Sequence, residues 1–113
     1  MSAVVTQAKL WYWQRLSAVV LAICVVVHVG AIIYASRGGL TAAEILARTR
    51  GNAPFAAFYL VFVVACAVHV PIGLKSIAVE WLGWRERNAS IATAIIAFAL
   101  LVMGLRAVYA IFV

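Results

Sequence analysis

The feature that most constrains this chain is a set of three long apolar runs at residues 16–35, 53–74 and 89–113. The first two carry no formal charge, and the third is interrupted only by Arg106. A bilayer core is crossed by a helix of about 20 apolar residues, so each run is long enough to span it. Composition points the same way. Of 113 residues, 68% are apolar and 11% are charged, whereas soluble domains carry roughly 25% charged residues. A water-soluble domain of this size leaves too much of its surface exposed to hide that much hydrocarbon, and disordered chains are poor in the aliphatic residues abundant here. The expectation is an all-α membrane protein: one transmembrane domain, residues 1–113, with three transmembrane helices at about 10–35, 53–76 and 89–113.

Local signals mark the boundaries. Trp11, Tyr12 and Trp13 open the first span as an interfacial aromatic anchor, and Tyr34 closes it before Ser36-Arg37-Gly38-Gly39. The run is longer than a signal-peptide core and follows an aromatic cluster, so it is read as a retained helix. In the connecting loop, Thr41 followed by Glu44 fits a capping box, which predicts a short amphipathic helix through Arg48. Asn52 and Pro54 suit the start of the second span. Trp81, Gly83, Trp84 and the Arg85-Glu86-Arg87 cluster mark the next interface.

Charge sets orientation and excludes some partners. Nine Lys+Arg against three Asp+Glu give +6, but the basic residues cluster at span ends. They therefore point to anionic lipid headgroups and a partner subunit, not to nucleic acid. Lys9, Arg15, Lys75, Arg85 and Arg87 fall on one side, and Arg37, Arg48 and Arg50 on the other, which predicts the N-terminus inside. Cys24 and Cys66 lie within apolar runs and read as small buried hydrophobes.

Ionisable groups within a membrane are costly and mark function. His69 lies about 9 Å deeper than Lys75 by helical rise, with Ala65 and Gly73 one turn away on either side. Small residues above and below an imidazole leave room for a flat macrocycle. His69 thus reads either as an axial haem ligand or as a histidine hydrogen-bonded between helices. Pro71 withholds a backbone donor from the carbonyl of Ala67 beside it. His28 lies about 20 Å along the first helix from Arg15 and so in the opposite half of the membrane from His69. It reads as a ligand of a second haem or as a polar inter-helix contact. Arg15 needs an anionic acceptor, such as a haem propionate, or a quinone carbonyl, or it must snorkel to lipid phosphate. Glu80 is a solvated carboxylate or a proton donor near a redox ligand.

Taken together, the WYWQRLSA run from Trp11 to Ala18 and the HVPIGLK run from His69 to Lys75 resemble the cytochrome b membrane-anchor subunits of succinate dehydrogenase. The first resembles the helix-opening pattern of serine, His-Arg, a hydroxylic residue and glycine. The second resembles the segment of histidine, three residues, glycine, an aliphatic residue and a base, with Glu80 in place of the acid that follows. The resemblance implies a haem b-binding subunit in the bacterial inner membrane, carrying electrons from a flavin/iron–sulfur module to ubiquinone or menaquinone. FAD and iron–sulfur clusters would reside in a flavoprotein and an iron–sulfur subunit, beside a second small hydrophobic anchor. It implies His69 as the iron ligand and Arg15, Ser17, Gly73, Lys75 and Glu80 as haem-propionate or quinone contacts. Gln14 stands where the family commonly has histidine, Ala18 where it has glycine, Trp11 where it has serine, and Lys75 where it has arginine. Two other classes share this size: a small multidrug-type transporter and a non-redox assembly subunit. A proton-coupled carrier needs a carboxylate within the membrane, and Glu44, Glu80 and Glu86 all fall in loops or at an interface.

Overall fold

Short polar side chains start three of the four helices. A computed structural model describes residues 2–113 and gives α1 Ala3–Arg37, α2 Ala42–Thr49, α3 Ala53–Glu80 and α4 Glu86–Phe112. Ser2 Oγ accepts from the Val5 N–H at 3.4 Å, Thr41 Oγ1 from Glu44 N–H at 3.2 Å, and Asn52 Oδ1 from Phe55 N–H at 3.1 Å. These bonds satisfy amides that a helix leaves unpaired at its first turn. At the far end of α1, Gly39 takes φ 63° and the Leu40 N–H donates to the Ala35 carbonyl, a glycine-dependent stop. Gly83, at φ 70°, lets the chain turn back so that the Trp84 N–H donates to the Ala78 carbonyl.

The three long helices are each long and apolar enough to cross a bilayer, and the chain is a multi-pass membrane protein. The amphipathic α2 lies between the first two spans, as the capping box implies. Boundaries differ from the sequence reading by more than two residues at three ends. Helix α1 begins at Ala3 and not near residue 10, because Thr6, Gln7 and Lys9 form helical turns that are polar and fall outside the apolar window. Helix α4 starts at Glu86 for the same reason, and α3 continues past the polar Lys75-Ser76 through Ile77-Ala78-Val79 to Glu80. Pro71 lies inside α3, and the helix continues through it.

Helix α3 is the middle element: α1 and α4 both pack along it, while α1 and α4 scarcely touch. The face of α1 turned inward carries Gln14, Ser17, Leu21, Cys24 and His28, spaced by three or four residues. On α4 the corresponding stripe is Ala89, Thr93, Ala97, Leu101, Gly104 and Val108. Most large apolar side chains face outward, including Ile23, Val26, Ile95 and Phe98, as lipid-facing positions require. Exposed aromatics gather near the ends, with Trp11, Trp13, Trp81 and Trp84 at one and Tyr34 and Tyr109 at the other. Thr49 and Gly51 tie α2 to the end of α4: Thr49 Oγ1 donates to the Ile111 carbonyl at 2.7 Å and the Gly51 N–H to the Phe112 carbonyl at 2.9 Å. Two carbonyls of the last turn of α4, otherwise unpaired, are thereby satisfied.

Candidate functional site

Two polar pairs fix the register of α1 against α3. Ser17 Oγ lies 3.3 Å from His69 Nδ1, and His28 Nδ1 lies 2.9 Å from the Tyr59 hydroxyl. Ser17 and His28 are separated by about 16 Å of helical rise, so the two histidines occupy different depths.

At the His69 level, Ser17 is 5% exposed, and its hydroxyl also donates to the Gln14 carbonyl at 3.1 Å. His69 itself is half-buried. The small residues on its face do not stand open. Ala65 is buried, and Gln14 Nε2 comes within 3.1 Å of where a Cβ on Gly73 would sit. The room that the sequence assigns to a macrocycle beside Gly73 is taken by the Gln14 amide, because the missing Cβ lets α1 approach. Gln14 Oε1 is buried and, among the described residues, has no hydrogen-bond partner. Sequence reasoning notes Gln14 only as a departure from a motif; its fit against Gly73 depends on a register that no single-chain pattern supplies.

Of the other candidates, Lys75 and Glu80 line one cavity. It has a volume of about 670 Å³ and lies between α1, α3 and α4 near the α3–α4 turn, with Trp11, Gln14, Ser76 and Glu86 also on its wall. Lys75 Nζ pairs with Glu86 Oε1 at 3.4 Å, both groups being substantially open to solvent. Arg15 does not reach this cavity or His69. One residue on from Gln14 turns it about 100° off the packed face. It is exposed there, its guanidinium 5.2 Å from the centre of the Trp11 ring, a cation–π distance.

His28 lies at the other end, on the wall of a nearly apolar cavity of about 520 Å³ bounded by α1, α3, α4 and α2. Its ring packs edge-on against Tyr59 and Phe62, both with centroids 5.6 Å away. Tyr59 is a partner that sequence reasoning missed. It lies ten residues before His69 on α3, matching the eleven-residue offset on α1, and that antiparallel match is the signal that could have found it. Among the described residues, no group of three or more His, Cys, Asp or Glu side chains could hold a metal ion.

Three spanning helices, with most polar side chains collected toward one end of the bundle, define a small integral membrane subunit. The family model for the succinate dehydrogenase/fumarate reductase transmembrane subunit matches residues 1–108, and the chain belongs to that family. It is therefore a membrane subunit of a multi-subunit succinate dehydrogenase/fumarate reductase complex. Neither the curated proteins nor the solved structures yield a match.

Proposed function

We propose that the chain anchors a flavin/iron–sulfur module to the bacterial inner membrane, N-terminus inside, and that His69 binds a b-type haem near a quinone pocket. The observation that carries this reading is the state of His69. Its Nδ1 is held by Ser17, among the described residues its Nε2 makes no hydrogen bond, and the ring is half-buried. Metal-bound histidines commonly have one nitrogen on the iron and the other oriented by a hydrogen bond. A second iron ligand would come from a partner subunit. When bound, the haem would supply one-electron chemistry, which no side chain here offers.

The residues around the 670 Å³ cavity fit an amphipathic quinone. Trp11 and Pro71 offer apolar walls, and Lys75 supplies a positive charge for a carbonyl oxygen. Glu80, at the end of α3, offers a carboxylate able to pass a proton. Arg15 is not on that cavity's wall but stacks on Trp11, which is, so it orients Trp11 instead of touching the headgroup. His28 stays the partner of Tyr59, leaving one haem per chain. The acids weigh against the transporter class: Glu44 lies in the first turn of α2, Glu80 ends α3 and Glu86 begins α4.

A second reading, a haem-free anchor, draws on the Gln14 amide packed against Gly73. Purified complex carrying His69→Ala decides between them. The haem reading expects a b-type Soret band in the parent and its loss in the variant. A colourless parent complex, or an unchanged spectrum in the variant, refutes it.

A further inference from the structure

We infer that Ser17 is a positioning residue that fixes the tautomer of His69, holding the proton on Nδ1 and leaving Nε2 as the lone-pair nitrogen. A hydroxyl has one proton and two lone pairs. Ser17 Oγ lies 3.1 Å from the Gln14 carbonyl oxygen, which can only accept. That bond takes the single proton, a backbonding arrangement common for serine inside helices. Toward His69 Nδ1, at 3.3 Å, the hydroxyl can then only accept, so Nδ1 must carry the hydrogen. A neutral imidazole carries one proton, which leaves Nε2 with its lone pair. Ser17 is 5% exposed, so water does not compete for either bond.

Two consequences follow. First, Ser17 has no proton left for a quinone carbonyl, so it acts through His69 and not as a quinone contact. Second, an accepting oxygen on Nδ1–H makes the imidazole a stronger donor through Nε2, the effect that outer hydrogen bonds have on metal-bound histidine. This second consequence rests on the reading of His69 as the haem ligand; the tautomer itself does not.

The test uses the assembled complex with Ser17→Ala, Ser17→Thr and His69→Ala. In haem-free complex carrying ¹⁵N-labelled histidine, the parent and Ser17→Thr should show the Nδ1–H form at His69, and Ser17→Ala should shift the population toward Nε2–H. In loaded complex, Ser17→Ala should weaken haem retention about 10- to 100-fold and raise the haem midpoint potential, with Ser17→Thr restoring both. An unchanged ¹⁵N spectrum in Ser17→Ala, or a Thr variant as altered as the Ala variant, overturns the inference. A b-type spectrum that survives His69→Ala refutes the haem reading while leaving the tautomer result standing on the ¹⁵N data.

Discussion

Gly104→Ala tests the close approach of α4 to α3 at Gly104. A Cβ at Gly104 would lie 2.5 Å from Val63 Cγ1, 2.7 Å from Cγ2 and 3.1 Å from Cβ, whereas carbon atoms rest at about 3.5–4.0 Å. Valine in a helix has one strongly preferred rotamer, so the methyls cannot swing aside and α3 and α4 must part. Overpacking of this kind costs about 1–3 kcal/mol. Replacing a mid-helix glycine with alanine returns roughly 1 kcal/mol of helix propensity. The expected net effect is a loss of about 0–2 kcal/mol. In a Val63→Ala background both Cγ atoms are gone, and the same substitution should stabilise by up to about 1 kcal/mol. The two sites should therefore couple by about 1–3 kcal/mol. The assay is reversible unfolding in detergent micelles with rising dodecyl sulfate, run on the four members of the cycle. If Gly104→Ala has the same effect in both backgrounds, within about 0.5 kcal/mol, then small-residue contact does not set the approach of α3 to α4.

Four further outcomes are expected. Tyr59→Phe removes the partner of His28 and should cost about 0.6 kcal/mol, at most ~1.7, the range for hydrogen bonds between membrane helices; a pyridine haemochrome assay should give the same haem content as the parent complex, and a changed content would count against a structural His28. Thr49→Val strips the Ile111 carbonyl of its donor and should cost about 1–3 kcal/mol, read as faster hydrogen exchange in the last turn of α4. Glu86→Gln breaks an ion pair whose partners are 32% and 78% exposed and should change stability by about 0–1 kcal/mol; a larger loss in dodecyl sulfate titration would count against it. Gly73→Ala should be near neutral, since only the flexible tip of Gln14 lies in the way, whereas Gly73→Leu should cost about 1–3 kcal/mol, read in the same dodecyl sulfate titration.

The spans were legible because the bilayer imposes a length, and 20 uncharged residues in a row meet it whatever the tertiary contacts. The short α2 was legible because Thr41 and Glu44 sit three apart, and that local spacing alone satisfies first-turn amides. The helix ends were less so. Hydropathy reports where lipid begins, while a helix ends where its caps and turn glycines lie, and Ser2 and Gly83 stand several residues beyond the apolar edges. The polar first turns of α1 are helical without being buried in anything the sequence announces.

The site was legible as residue types but not as pairs. Periodicity of 3.6 assigns each side chain to a face, and by that rule Gln14 and Ser17 share a stripe from which Arg15 is turned away. It says nothing of the axial offset between two helices, which decides whether His69 meets Ser17 or a residue a turn higher. That offset is set by contacts distributed along the whole interface: Gln14 over Gly73, Ser17 at His69, and His28 at Tyr59. Sliding α1 by one turn, about 5.4 Å, would break all three at once and strand two imidazoles in lipid, where unpaired polar groups are costly. The polar pairs thus act together as a register lock. A chain with so few deeply buried side chains gains from them a single alignment of its helices, and with it one orientation for the His69 ring.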